Sequence, residues 1–260
     1  MGAGGSAGSA GGSAPMAGAL PPVDSVEKDG PFAVTVDMNA GANSWVFRPT
    51  DLGKDGVKHP IFVWGTGATS VPSQYMMHFT RVASHGFVVI SPNNSMVDAA
   101  ALKASLDWLL AENDKSDSMY YQKLNPAKIA MGGHSLGSLA TFDEEAMETR
   151  LVTTIHIAGG SFDAMGSSKV KTPTAYMCGQ MDLDIASPNC ATDFQNATKP
   201  TYFVQLQGIG HIDAADGALP GIVAWLRWWL NDETERKSMF IGPGCDFCMG
   251  IWANAMTKNW

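Results

Sequence analysis

Basic residues are in short supply: 17 Lys and Arg against 25 Asp and Glu, a formal net charge of −8 and a pI near 5.1. Those 17 are scattered. Nucleic acid and anionic membrane are thereby excluded as partners, because binding either depends on a dense patch of Lys and Arg. No apolar run reaches the roughly 18 residues that a membrane-spanning helix requires, so no span is expected. Cysteine is scarce too, four in 260 residues. Only Cys245-Asp-Phe-Cys248 has the spacing of half a zinc site or of a redox pair. No second pair completes a metal site and no thioredoxin-like surroundings support a redox one, so neither metal nor cofactor is expected. Cys178, Cys190, Cys245 and Cys248 allow three pairings; structural disulfides, and with them secretion, are favoured over free thiols.

The first 22 residues lack almost everything a core is built from. Met1 to Pro22 is nearly all Gly, Ala, Ser and Pro, which predicts a flexible tether ahead of a domain spanning 23–260. This stretch has neither the basic end nor the apolar centre of a secretory signal, so the expectation is a mature chain whose leader has been removed. The whole chain is 45% hydrophobic and long enough to bury roughly 70–75% of its unfolded surface, which suits one α/β domain.

That domain is organised around 127–141, AKIAMGGHSLGSLAT. Lys128 to Met131 reads as a strand, Gly132 to Gly137 as a sharp turn and Leu139 to Met147 as an amphipathic helix. The turn carries Gly133-His134-Ser135-Leu136-Gly137, a GxSxG pattern. At such a corner the serine sits in strained backbone, and the small residues flanking it let strand and helix pass closely. A glycine-rich turn can also carry a serine with no chemical duty, so the pattern is judged by what surrounds it.

Phe32 to Met38 and Ser44 to Arg48 read as a hairpin around Gly41-Ala42-Asn43. Pro60 to Trp64, the helix Gln74 to Ser84 and Phe87 to Ser91 form a βαβ unit, and Val97 to Glu112 is a helix with Leu102, Leu106, Leu109 and Leu110 on its packing face. Beyond the turn, Leu151 to Ala158, Thr174 to Cys178 and Tyr202 to Leu206 read as strands, and Ile222 to Leu230 as a closing helix. This order predicts an α/β fold with an open, mostly parallel sheet and helices on both faces. Sites in such sheets lie beyond the carboxyl ends of the strands.

Three of those ends carry chemistry. Ser135 follows one strand, Asp182 another and His211 a third, in the chain order Ser, Asp, His of the α/β hydrolases. A serine hydroxyl needs an imidazole to take its proton, and the imidazole needs a carboxylate to hold its tautomer. Of the six histidines, His59 falls in a polar turn, His78 and His85 on or after a helix, His134 inside the turn and His156 inside a strand. Only His211 follows a late strand in a glycine-rich loop.

Five segments resemble the bacterial cutinase-like polyester hydrolases, a family that includes enzymes acting on poly(ethylene terephthalate). They are 65–69 (GTGAT), 83–90 (ASHGFVVI), 133–137 (GHSLG), 173–182 (PTAYMCGQMD) with Ile185-Ala186 following, and 204–211 (VQLQGIGH). Trp225 to Asp232 resembles the family's closing helix. The resemblance runs in order from about Phe32 to Phe240. It implies an α/β-hydrolase fold without a lid domain, Asp182 as the acid with Asp184 as fallback, and an oxyanion hole made by the amides of Thr66 and Leu136. It further implies substrate contacts at Gly65, Thr66, His134, Leu136, Phe162 and Ile185, and a disulfide near the chain end. The last point favours Cys245 with Cys248, leaving Cys178 to pair with Cys190 and enclose the acid loop. Three positions depart from the family: Thr66 where an aromatic residue is usual, Ser138 where a second glycine is usual, and Phe162 where a tryptophan is usual. Phe162 is open to two readings, a wall of the acyl subsite or plain packing.

The resulting expectation is a secreted, monomeric serine ester hydrolase with an open cleft, acting on cutin-like and synthetic polyesters and on short to medium acyl esters. A small-molecule esterase, lipase or dienelactone-type hydrolase is the alternative on the same scaffold. A non-catalytic binding domain would have no reason to keep serine, acid and histidine together.

Overall fold

A computed structural model describes residues 18–183 and 187–260. The first two strands, β1 (Val34–Ala40) and β2 (Ser44–Pro49), form the expected antiparallel hairpin, and Ala42 and Asn43 at its turn take φ of 55° and 49°. Left-handed backbone at two successive turn residues matches the twist of the flanking strands. Then come β3 (His59–Gly65), α1 (Met76–Ser84), β4 (Val88–Pro92), α2 (Ala99–Asp114), β5 (Leu124–His134), α3 (Leu136–Glu145) and β6 (Leu151–Ile157). The chain continues through α4 (Gly166–Lys169), β7 (Thr174–Gly179), α5 (Ser187–Asn196), β8 (Thr201–Leu206), α6 (Ala214–Leu230), α7 (Lys237–Phe240) and β9 (Met256–Lys258).

The strands make one sheet in the order β1-β2-β4-β3-β5-β6-β7-β8-β9. From β4 to β8 every neighbouring pair is parallel, and β2 and β9 border that block in antiparallel pairing. Both faces of such a block must be covered, and the side-chain alternation shows by what. Phe62, Trp64 and Val89 pack with Phe79 of α1 and with Ile222 and Trp225 of α6. Ile61, Val63, Val88, Ile90 and Met131 point the other way and meet Leu102, Leu106 and Leu109 of α2. Each of these fully buried side chains contributes about 1.5–3 kcal/mol. The fold is therefore the open, mostly parallel α/β-hydrolase type that the strand order implies.

Three features differ from the sequence expectation. Helix α6 begins at Ala214 rather than Ile222 and passes through Pro220. A proline there forfeits one helical hydrogen bond, but Ala214, Ala215, Ala218 and Leu219 are all buried against the sheet, and that packing offsets the loss. Strand β9 is three residues long and mostly exposed, too short to leave a periodic signal. The predicted tether does not extend to Pro22, because the chain is docked from Gly18 onward. Leu20 is buried, its N–H donates to Asn231 Oδ1 (2.9 Å), and the carbonyl of Pro21 accepts from Arg227 Nη2 (2.6 Å). Leu20 is the one large aliphatic side chain in that run besides Met1 and Met16, and Arg227, itself fully buried, needs the carbonyl. Residues 1–17 lie outside the described residues.

Cys178 is bonded to Cys190 and Cys245 to Cys248, with Cα–Cα distances of 6.7 and 5.3 Å. The first bond closes the loop between β7 and α5, a separation of 12 residues, for which chain entropy gives roughly 3 kcal/mol, whereas the second spans a ring too small to constrain much. Replacing Cys178 and Cys190 together by Ser is therefore expected to lower the melting temperature by roughly 5–10 °C, and the Cys245, Cys248 pair by much less, read by calorimetry.

Burial also holds several histidines neutral. His85 and His134 are pushed down to about 4 and His156 to about 3, in each case chiefly by desolvation. A histidine whose folded value lies below its unfolded one binds fewer protons when folded, so stability is full above about pH 6.5 and is lost as the pH falls toward 4. On the order of 2 kcal/mol per such histidine is expected to be gone by pH 5. Melting curves from pH 8 to pH 4.5 check this: a melting temperature flat across that range would contradict it.

Candidate active site

The corner between β5 and α3 exists because three glycines let the backbone pass at contact distance. A Cβ on Gly137 would lie 2.0 Å from the carbonyl oxygen of Gly65, and one on Gly133 would lie 2.3 Å from the carbonyl carbon of Gly137. Those contacts leave room for hydrogen only. Ser135 between them is held at φ 55°, ψ −117°, with its N–H donating to Ile157 O at 2.9 Å. A non-glycine residue in that region is strained, and the strain turns its side chain out over the carboxyl edge of the sheet.

The two partners arrive on neighbouring loops. β7 and β8 pair through Gly179 and Leu206, and the loops beyond them stay in contact: Gln180 N–H donates to Leu206 O and Met181 N–H to Ile209 O, both at 2.9 Å. A side chain at Gly179 would collide with the carbonyls of Ile209 and Gly210. This contact brings Asp182 against His211. His211 Nδ1 lies 2.6 Å from Asp182 Oδ2, and its Nε2 lies 2.9 Å from Ser135 Oγ. With Asp182 accepting at Nδ1–H, Nε2 is left to accept from the serine hydroxyl. The carboxylate is almost wholly buried and the imidazole partly so. Asp184 and Ile185 fall outside the described residues.

A hollow opens beside Ser135, bordered by Ala68, Leu136, Leu139, Gly160 and Phe162 among others. Leu136 is the first residue of α3, so its N–H belongs to the first helical turn, whose amides have no partner within the helix. Phe162 stands at the edge of the hollow with 76% of its surface exposed, which fits a wall rather than packing. Gly65 and Thr66 do not border it. Thr66 is fully buried, its hydroxyl donating to Ser70 O at 3.0 Å, so the position usually aromatic in the resembling family here braces its own loop.

His134 does not border the hollow either, and the expectation of a substrate contact there is corrected. It is buried, and both ring nitrogens are committed: Nδ1 to Tyr75 Oη at 2.7 Å and Nε2 to the carbonyl of His211 at 2.9 Å. That carbonyl can only accept, so Nε2 carries the proton and Tyr75 donates to Nδ1. Tyr75 in turn accepts from Gly67 N–H at 3.1 Å. One chain of hydrogen bonds thus runs from the loop after β3 through Tyr75 and His134 to the backbone of His211. The sequence reading places Tyr75 on a packing helix, where a tyrosine carries no signal that its hydroxyl is in use.

Tyr75→Phe keeps the ring among Trp64, Phe79 and His134 but leaves Nδ1 of His134 and the Gly67 amide unpaired, a cost of about 1–3 kcal/mol. The expected outcome is a kcat on a soluble ester lowered by about tenfold or more with KM little changed. A kcat equal to that of the parent would show that the relay does not position the base.

With this geometry in view, the comparisons with known proteins are consistent among themselves. Residues 10–256 match the sequence profile of a family described as PET hydrolase-like. The chain is 24% identical over 237 residues to "Cutinase 2" of Thermobifida cellulosilytica, covering 84% of this chain and 86% of that protein. It is likewise 24% identical over 237 residues to "Cutinase cut1" of Thermobifida fusca, covering 84% and 71%. A "Lipase 1" from Moraxella sp. (strain TA144) is 29% identical over 168 residues, 60% of this chain and 50% of that protein. A profile matched across nearly the whole sequence, on a sheet of the α/β-hydrolase type, places the chain in a family: it belongs to the PET hydrolase-like proteins.

Proposed function

We propose that the protein is a serine carboxylic-ester hydrolase that works through an acyl-enzyme, with Ser135 as nucleophile, His211 as general base and then acid, and Asp182 as the carboxylate that orients it. The observation that carries this reading is the 2.9 Å approach of Ser135 Oγ to His211 Nε2, with the other nitrogen 2.6 Å from a buried carboxylate. As Ser135 attacks the ester carbonyl, His211 takes its proton, and Asp182 stabilises the imidazolium without itself being protonated. The oxyanion is assigned to the amide of Leu136, at the start of α3, and, by the family resemblance alone, to that of Thr66; the alcohol leaves with the proton from His211, and water then attacks the acyl-enzyme with His211 again as base, releasing the acid and Ser135. The step requires no cofactor.

The substrates proposed are polyesters of the cutin and poly(ethylene terephthalate) type together with short to medium acyl esters. Family membership and the cutinase relatives support this, and so do exposed apolar side chains next in sequence to the acid and the base. Met181 and Leu183 flank the acid, Ile212 follows the base and Phe162 edges the hollow; these four side chains are 61%, 63%, 77% and 76% exposed. Apolar side chains kept in water around a reactive group suit an insoluble apolar substrate better than a dissolved one. The two disulfides support secretion.

Ser135→Ala is expected to lower kcat by on the order of 10⁶ without unfolding the protein, and Asp182→Asn by about 10⁴. A fluorophosphonate probe is expected to label Ser135; turnover surviving in purified Ser135→Ala would refute the assignment. For the substrate class, Met181→Ser, Leu183→Ser and Ile212→Ser combined are expected to lower product release from polyester film, relative to turnover of p-nitrophenyl butyrate, by about tenfold. If no product comes from the film while soluble esters are turned over, the protein is a small-molecule esterase or lipase.

A further inference from the structure

The loop after β6 is pinned by buried side chains that ester chemistry does not use. It opens at Ala158 with a positive φ of 42°. The carbonyl of Gly159 accepts from Ser138 Oγ at 3.0 Å, and Ser138 in turn accepts from His156 Nδ1–H at 2.8 Å. There is no slack at either glycine. A Cβ on Gly159 would lie 2.2 Å from that of Ser138, and one on Gly160 would lie 2.2 Å from the backbone of Asn189 and Cys190 in α5. The next residue is held hardest. Asp193, fully buried on α5, accepts from Ser161 N–H (2.6 Å), Ser161 Oγ (2.8 Å) and Ser167 N–H (3.2 Å), while Ser161 Oγ accepts from Gly166 N–H (2.7 Å).

Phe162 comes next. At 76% exposure its ring has too little packing to fix its own place, so its position is set by the backbone one residue earlier. Phe162 borders the hollow beside Ser135. It also borders a second hollow, which shares Leu139 and Phe162 with the first, reaches Phe142 and Ser161 and is edged by Asp143 and Lys169.

We propose that Asp193, acting through Ser161, is a specificity-determining positioning residue that holds Phe162 as a partition, so that the acyl group is confined to the hollow beside Ser135. The proposal rests on the ester-hydrolase reading. Asp193→Asn turns an N–H₂ toward one of the serine donors and breaks at least one bond; Ser161→Ala removes the two made by the hydroxyl. Either change frees the partition, and a longer acyl chain then reaches the second hollow, whereas an acetyl group never extends that far.

The test measures kcat and KM for p-nitrophenyl acetate and p-nitrophenyl octanoate with the full-length parent, Phe162→Ala, Asp193→Asn and Ser161→Ala, well below the lowest melting temperature. The octanoate-to-acetate ratio of kcat/KM is expected to rise about tenfold in Phe162→Ala and at least about threefold in the other two, chiefly through KM for octanoate. Ser161→Ala leaves the carboxylate and its backbone bonds in place, so it serves if Asp193→Asn folds poorly. A ratio unchanged in Ser161→Ala, or equal losses on both esters in Asp193→Asn and Ser161→Ala, would overturn the proposal. A parent that hydrolyses neither ester would instead refute the underlying hydrolase reading.

Discussion

The structure depends on one steric constraint, the near-contact of backbone at Gly65, Gly133 and Gly137. Strand β3, strand β5 and helix α3 meet there with no side chain between them, and this forces Ser135 into positive φ. The strain is supported by what surrounds it. β5 is a central strand with parallel neighbours on both sides, and α3 packs on the sheet and beside α2, so relaxing the corner would disturb the packing of both. The same contact carries the loop after β3 over the start of α3, where the first helical amides point outward. The proposed nucleophile and the proposed amide donors are in this way two results of one close approach.

Much of this was legible in the sequence because it is written in short-range patterns. Glycines two residues either side of Ser135 announce the corner, apolar runs bounded by turn residues announce β3 to β8, and the position of Asp182 and His211 just past late strands announces their partnership. Long-range side-chain commitments left no such trace. His134 looks like a cleft residue in the linear motif, and only the fold reveals that Tyr75 and the His211 carbonyl occupy both of its nitrogens. Leu20 sits in a run of small residues and reads as tether, yet its docking depends on Asn231 and Arg227, more than 200 residues away. Pro220 suggests a helix boundary that burial overrides. In each case a local preference lost to a contact distant in sequence.

Helix α5 connects what the sequence presents as separate features. Cys190 near its start is bonded to Cys178 at the end of β7, bracing the strand that delivers Asp182, and Asp193 one turn later holds the loop carrying Phe162. The proposed acid and the proposed cleft wall thus share a support. Ser138 makes the matching connection from α3, filling the space that Gly159 leaves and bonding its carbonyl. Where the resembling family usually has glycine, this chain has a hydroxyl that fastens the loop after β6 to the helix that begins at Leu136.

The docked segment at the start of the described chain has a consequence for orientation. The carbonyl of Gly18 accepts from Lys58 N–H at 3.0 Å, immediately before β3, whereas Gly65 at the far end of that strand belongs to the corner that presents Ser135. Seven residues of extended chain separate the two, about 20 Å. Anchorage and chemistry therefore occupy opposite edges of the sheet. A bead, a partner domain or a cell surface joined to this protein through Gly18 would sit beneath the amino ends of the strands, leaving the opening beside Ser135 facing outward and unobstructed.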